Sequence, residues 1–269
     1  MKDSTKKLLF AIVYVVFAVN IQRVFGPLIT ALITNGFARS MIAEAIFAAF
    51  AIAGAILFHK MNEVKVTTNG FGEGVKAGLP IILLYAFILF FELFVNMGKY
   101  TASIFEVVMY IVDMLLVGVT EEVLFRVVVQ NLALEVTGED TVSAVRKGIF
   151  LSGAVFGLVH LFNIFKGVSL MSAIDQAVIA IAMGAVTGAI YFRSKNNLLI
   201  VILIHAFVDF TSLLGSGALN GASTTDSINQ VGSVGAQRII AFALYMGLAL
   251  YLMRKSVLER AIEERKNFK

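Results

Sequence analysis

Ionisable side chains inside long apolar runs restrict what this chain can fold into. The stretch "EEVLFR", from Glu121 to Arg126, interrupts one such run, and His160 and His205 lie within two others. An ionisable residue at the centre of a membrane helix costs about 2.5–3.5 kcal/mol, so each one needs a partner or a function. The apolar runs predict membrane helices, and the polar residues within them mark a candidate site.

The composition supports a membrane protein. Of the 269 residues, 59% are hydrophobic and 15% are charged, against about 25% charged in an ordinary soluble domain. The sequence therefore predicts an all-α bundle of membrane-spanning helices, with the lipid bilayer as its surroundings. Cysteine is absent, which excludes disulfides and thiolate chemistry. The net charge of +4 suits basic cytoplasmic edges and does not indicate a nucleic-acid partner.

Eight apolar segments can be read along the chain. They are residues 8–21, 42–58, 79–95, 105–129, 148–165, 174–192, 198–214 and 239–253. We divide the chain into helices 1–3 (residues 1–104), a motif-bearing core of helices 4–7 (105–214), and an outer loop, last helix and basic tail (215–269). The polar stretch 215–236 reads as a connector.

The basic residues predict the orientation. If the amino terminus is cytoplasmic and the segments alternate, most of the 22 Lys and Arg residues fall on the cytoplasmic side. The opposite side holds only Arg23, Arg39, Lys99, Lys166 and Arg238. We therefore expect a multi-pass protein of a bacterial cell membrane with both termini in the cytoplasm.

The polar residues of three segments are expected at similar depths in the membrane. At about 1.5 Å per residue, Glu121 and His205 lie about 13 Å from the cytoplasmic end of their segments, and His160 about 19 Å along its own. We expect these three side chains to share one level of the bundle. Asp113 and Glu92, in contrast, read as packing or interfacial groups.

Local spacing predicts contacts around this level. Glu122 and Arg126 are four residues apart, so they can pair on one helix face. Glu121 points about 100° away and is free to face something else. His205 and Asp209 are also four apart.

Two residues near His160 and a set of small residues complete the pattern. Phe156 lies one turn before His160, and Asn163 is three residues after it, so both are expected to line the site. Small residues at every fourth position let the helices of the fifth and sixth segments approach closely. These are Gly153, Gly157, Ala180, Gly184 and Gly188.

Three motifs in this order resemble a known family. They have the forms EExxxR, FxxxH and HxxxN/D, each on a separate membrane helix. The residues that carry them are Glu121, Glu122, Arg126, Phe156, His160, His205 and Asp209. Over residues 113–214, the chain resembles the CPBP family of CAAX prenyl endopeptidases, bacteriocin-processing proteins and Abi-type membrane proteins.

The resemblance implies intramembrane proteolysis. By it, Glu121 and His160 activate a water, His205 and Asp209 stabilise the oxyanion, and Glu122 and Arg126 form a structural pair. Peptide hydrolysis does need a base, a water and donors aimed at the developing oxyanion. Prenyl-protein enzymes of the family typically have Asn at the position of Asp209. An ionised Asp accepts but does not donate, so an oxyanion role requires the protonated acid.

The sequence leaves the cofactor and the activity open. Glu121, His160 and His205 could ligate Zn²⁺ with one open position, but the H-E-x-x-H helix pattern is missing, and a metal-free glutamate mechanism is equally allowed. The substrate could be a membrane-associated prenylated peptide, a leader peptide or a membrane-protein helix. Two alternatives are a non-catalytic binding protein, as in bacteriocin immunity, and a proton-coupled transporter. The transporter is disfavoured because the sequence shows no inverted repeat.

Overall fold

The computed structural model describes residues 2–222, 226, 228–230 and 235–266, and this part of the chain is predominantly helical, with no β-strand. The helices are α1 (Asp3–Leu32), α2 (Gly36–Leu57), α3 (Phe71–Val95), α4 (Ile104–Glu122), α5 (Asn131–Thr137), α6 (Val142–Val159), α7 (Leu170–Arg193), α8 (Leu198–Leu214), α9 (Gly235–Leu252) and α10 (Lys255–Lys266). A π-helical segment, Val123–Gln130, joins α4 to α5, and a 3₁₀ helix, His160–Lys166, continues α6. The all-α prediction is confirmed.

Length and hydropathy identify the membrane-spanning helices. Among the described residues, five helices are long and apolar enough to cross a membrane, or six if α9 and α10 count as one span bent by 54°. These helices confirm a polytopic membrane bundle, while the number of eight spans stays a prediction. Helix α8, with 17 residues, is a shorter apolar helix. Helix α1 has 30 residues and continues past Arg23, well beyond the predicted segment.

Caps fix the starts of the two helices that carry carboxylates and His205. At the start of α4, Ser103 and Glu106 form a capping box, in which each side chain accepts from the other's backbone N–H. At the start of α8, the Asn197 side chain accepts from the Ile200 N–H. The Asn197 amide also donates to the carbonyl of Thr67, at 2.7 Å, which ties α8 to the segment before α3.

Small residues bring α6 and α7 into backbone contact. A Cβ atom on Gly157 would lie 2.5 Å from the Ala177 carbonyl oxygen, and one on Gly184 would lie 2.9 Å from the Gly153 Cα. Such distances leave no room for a side chain, which confirms the predicted close approach of these two helices. The tight pair sets the position of His160 at the end of α6.

The outer surface of the bundle is apolar. Phe87, Phe90 and Phe94 of α3 are each about two-thirds exposed, at 67%, 68% and 68%, and they face outward, as expected for lipid contact. Of the connector predicted over 215–236, the described residues include a 3₁₀ turn, Ala218–Asn220. Residues 223–225, 227 and 231–234 of this stretch fall outside the described ranges.

Candidate functional site

His205 is the centre of the candidate site. It is 3% exposed, and three carboxylates surround its ring. Its Nδ1 lies 2.6 Å from Glu122 Oε1, and its Nε2 lies 3.2 Å from Glu121 Oε2 and 3.4 Å from Asp209 Oδ2. Because both nitrogens face acceptor oxygens, a ring that carries protons on both nitrogens satisfies these contacts.

Glu122 connects His205 to the buried arginine. Its second oxygen, Oε2, lies 2.9 Å from Arg126 Nε, and both side chains are completely buried. Arg126 also donates to the Ser152 hydroxyl at 3.4 Å, which in turn donates to the Phe125 carbonyl at 2.8 Å. The predicted ion pair is therefore present, but Glu122 does more than the structural pairing expected of it, since it also holds the imidazole of His205.

A π-helical segment begins directly after Glu122. All eight of its residues, Val123–Gln130, are buried. The sequence predicts one apolar span over 105–129, and the structure takes a π-helical register from Val123 onward while keeping the predicted Glu122–Arg126 contact. A π turn is stabilised by tertiary packing rather than by local propensity and is frequent at functional sites.

His160 supplies the second imidazole. It is the first residue of the 3₁₀ helix, and its Nδ1 lies 2.8 Å from the Phe156 carbonyl oxygen. A carbonyl only accepts, so Nδ1 carries the proton and a neutral ring keeps a lone pair on Nε2. Glu121 is near enough to interact electrostatically with His160. His160 can therefore accept a proton or a hydrogen bond beside Glu121.

Phe156 packs against both imidazoles. Its ring meets His160 edge to face with centroids 4.9 Å apart and meets His205 in the same way at 5.8 Å. The guanidinium carbon of Arg126 lies 5.2 Å from the centroid of the Phe156 ring. Edge-to-face contact restricts how an aromatic ring can turn, so Phe156 positions the two histidines relative to each other.

These groups open onto a cavity of about 460 Å³ within the bundle. Glu121 and Asp209 have side chains that are 22% and 32% exposed, whereas Glu122 is completely buried. Glu121 is therefore the glutamate of the motif that can meet a water or a substrate. Asn163 also lines the cavity, and its amide donates to Gln176 Oε1 at 2.7 Å.

The cavity also contains residues that the sequence analysis missed or placed elsewhere. Asp113, expected to be a packing or interfacial group, lines the cavity at 5% exposure, and its Oδ1 has no hydrogen-bond partner. Its position within an apolar run was the available signal. Other polar lining residues come from outside the predicted core or from segment ends, where no motif marks them: Ser40, Glu44, Tyr85, Lys166, Arg238 and Tyr245.

The geometry does not fit a metal centre at this site. Among the described residues, no three His, Asp or Glu side chains are arranged so that they could hold a metal ion. Both nitrogens of His205 face carboxylate oxygens of this cluster.

The fold and the site together define a class of protein. It is an all-α membrane protein with a buried cluster of glutamates and histidines facing an internal cavity. The family follows from comparison with known proteins. Residues 103–211 match the family model of the type II CAAX prenyl endopeptidase Rce1-like proteins. The matched residues include all three motifs, so the match supports the resemblance to CAAX-type intramembrane proteases that the motifs predict. No curated protein and no solved structure matches the chain.

Proposed function

We propose that the protein is an intramembrane endopeptidase that hydrolyses a peptide bond of a membrane-associated peptide or protein. The observation that carries this proposal is the pair of glutamates, only one of which faces the cavity. Glu121 is partly exposed there beside His160, and His205 and Asp209 line the same space. Glu121 as a base, His160 as an acceptor for the water, and His205 and Asp209 as candidate oxyanion donors would thus surround one cavity.

In the proposed reaction, a water bound between Glu121 and His160 attacks the carbonyl carbon of the scissile bond. Glu121 takes a proton from the water as the oxygen–carbon bond forms. The carbonyl oxygen becomes an oxyanion, which accepts hydrogen bonds from His205 Nε2–H and from a protonated Asp209. When the carbon–nitrogen bond breaks, Glu121 returns its proton to the leaving amine. The oxyanion re-forms the carbonyl as this bond breaks, and the proton of the new carboxylic acid passes to the amine, so the products are a carboxylate and an ammonium.

Glu122 and Arg126 act on this reaction through His205. Glu122 holds Nδ1 at 2.6 Å, which directs Nε2 toward Glu121, Asp209 and the cavity. The buried Arg126 offsets the charge of Glu122. In this proposal the two residues are positioning groups, because neither faces the cavity where the substrate would lie.

Cleavage by purified protein tests the proposal. The wild-type protein, reconstituted in liposomes and incubated with a peptide library, should release peptides whose new ends mass spectrometry can map. Glu121→Gln and His160→Ala should each lower turnover by about 10²–10⁴-fold, since the first removes the proton-transferring base and the second removes the group that holds the water beside it. Glu92→Gln is the matched control, because Glu92 bonds to Asn96 and does not line the cavity.

Three outcomes would count against this assignment. Normal cleavage by folded Glu121→Gln would end the assigned mechanism. Loss of cleavage in the presence of a metal chelator would show that a metal takes part after all. Binding of a partner protein with no cleavage of any library peptide would favour the non-catalytic function instead.

A further inference from the structure

A second pocket lies away from the candidate site, where α6 begins and where α9 turns into α10. Its volume is about 560 Å³. The 54° bend between α9 and α10 places the first residue of α10 beside the first turns of α6. The lining residues are Val142, Ser143, Arg146, Lys147, Phe150 and Lys255.

The pocket is strongly basic. Arg146 donates from Nε to the Met253 carbonyl at 2.9 Å, which fixes its guanidinium in the wall of the pocket. Lys255 has Glu259 at 3.8 Å, but both side chains are largely exposed, so this pair neutralises little. Within the described part of the chain, no carboxylate forms an ion pair with Arg146 or Lys147. Three cations thus border one concave surface.

The acidic residues nearest in sequence are engaged elsewhere. Glu139 Oε2 accepts from Arg265 at 3.3 Å, and Asp140 lies 3.9 Å from Lys266 Nζ. Both partners belong to the far end of α10. Neither Glu139 nor Asp140 lines the pocket, so its charged lining residues are Arg146, Lys147 and Lys255.

The pocket also lies at the boundary between the polar and apolar parts of α6. The polar loop ends at Thr141, whose side chain caps the helix, and the buried apolar stretch of α6 starts at Gly148. Lys147 is the last charged residue before that stretch, which is the level where lipid headgroups meet a membrane helix. Val142 and Phe150 add apolar surface to the same pocket.

We propose that this pocket binds the headgroup of an anionic phospholipid. The phosphate oxygens would accept hydrogen bonds from Arg146, Lys147 and Lys255, and the acyl chains would run along the apolar surface that includes Phe150. Basic pockets at the membrane boundary bind anionic headgroups in this way. The apolar wall favours a lipid over free phosphate, which would leave that surface uncovered.

Lipid binding to the full-length protein in detergent tests the proposal, with native mass spectrometry as the readout. Phosphatidylglycerol should bind more tightly than phosphatidylcholine. Each lysine removed should weaken phosphatidylglycerol binding about fivefold, so Lys147→Gln with Lys255→Gln should lose about 25-fold. The matched control is Lys6→Gln with Lys76→Gln, two exposed lysines outside the pocket, which should change binding less than about twofold.

The outcomes separate the possible sources of the bound phosphate. Equal loss in the two double variants, or equal binding of the two lipids, would overturn the proposal. Displacement of phosphatidylglycerol by millimolar inorganic phosphate would assign the site to free phosphate and would also overturn it. If the double variant has a lowered melting temperature, Lys255→Gln alone, at an exposed helix end, serves as the test. It should weaken phosphatidylglycerol binding about fivefold. Peptidase activity is not the readout, so the result is independent of the proposed function.

Discussion

At the scale of single residues, the carboxylate of Glu122 has two partners, since one oxygen meets Arg126 and the other meets His205. Removing Arg126 would leave this carboxylate buried without its cation. We expect Arg126→Met to cost about 3–5 kcal/mol of unfolding free energy, because an uncompensated buried charge is strongly destabilising. Chemical unfolding of the protein in detergent, followed by circular dichroism, measures this loss.

An exposed ion pair provides the control for that measurement. Lys7 and Asp3 are 3.1 Å apart, with side chains that are 57% and 79% exposed, so Lys7→Gln should cost only about 0–1 kcal/mol. The double variant Glu122→Gln with Arg126→Met should recover part of the stability, since both charges are gone. Equal stability of Arg126→Met and Lys7→Gln would contradict the importance of the buried pair.

The role of Asp209 gives a second prediction at this scale. If the protonated acid donates to the oxyanion, Asp209→Asn keeps a donor in nearly the same place and should retain much of the activity. Asp209→Ala removes that donor and should lose about 10²–10³-fold in turnover. Cleavage rates of both folded variants, with and without a chelator, make the comparison. An Asn variant as inactive as His205→Ala would show that the negative charge, and not the donor, is needed.

The sequence motifs predict which residues form the site, but they do not predict all the contacts between those residues. The membrane depths of Glu121 and His205 predict only that they share one level of the bundle, and the structure places Glu121 Oε2 3.2 Å from His205 Nε2. The contact of Glu122 with His205 was missed, because helix geometry directs Glu121 and Glu122 about 100° apart. That angle does not exclude a shared partner, since the two nitrogens of an imidazole point in different directions. No local motif predicts that Asp113 lines the cavity with one oxygen lacking a hydrogen-bond partner.

At the scale of helices, the contact between α6 and α7 depends on glycine. The missing Cβ of Gly157 has backbone atoms of α7 within 2.5 and 2.7 Å, so Gly157→Ala must push the helices apart. Overpacking of this kind costs about 1–3 kcal/mol. Because His160 ends α6, we expect turnover to fall together with the melting temperature. Both can be measured on one reconstituted sample.

Gly247 of α9 is the matched control for this substitution. No atom lies within 4 Å of its missing Cβ, so Gly247→Ala should be neutral or stabilising by about 0.5–1 kcal/mol. Similar melting temperatures for the two alanine variants would show that the close approach of α6 and α7 is not needed for stability.

The irregular helical segments lie outside what local sequence can predict. The run Val123–Gln130 consists largely of β-branched and long apolar residues, which are compatible with an α-helix in a membrane. Its π geometry depends on surrounding helices that bury every residue in it. The turn from α6 into the 3₁₀ helix at His160 likewise carries no Pro or Gly at the junction. Helix existence follows from hydropathy, whereas these register changes follow from packing.

At the scale of the whole molecule, the distribution of basic residues predicts the orientation. Both termini and the loop 135–147 should be cytoplasmic. A green fluorescent protein fused after Lys269 should fluoresce, and alkaline phosphatase at the same position should be inactive. A tag inserted within 221–229, a stretch that is only partly described, should be reached from outside intact cells. Active phosphatase at the carboxyl terminus would show that the predicted number of spans is wrong.

The assembly of the cavity was the least predictable property of the whole molecule. Because the motifs fall within 113–214, they predict a site formed by the motif-bearing core of residues 105–214 alone. The structure adds Ser40 and Glu44 from α2, Tyr85 from α3, and Arg238 and Tyr245 from α9 to the lining. Such long-range neighbours have no shared periodicity or motif, so only the packed bundle brings them together.

This mixed lining has an evolutionary consequence. The residues proposed to act on the peptide bond come from α4, from the 3₁₀ helix that follows α6 and from α8, whereas much of the remaining wall comes from α2, α3 and α9. Mutations in these outer helices can reshape the chamber without altering the hydrolytic groups. Descendants of one ancestral gene can therefore diverge in what they accept while inheriting the same chemistry, and selection on the two properties can proceed separately.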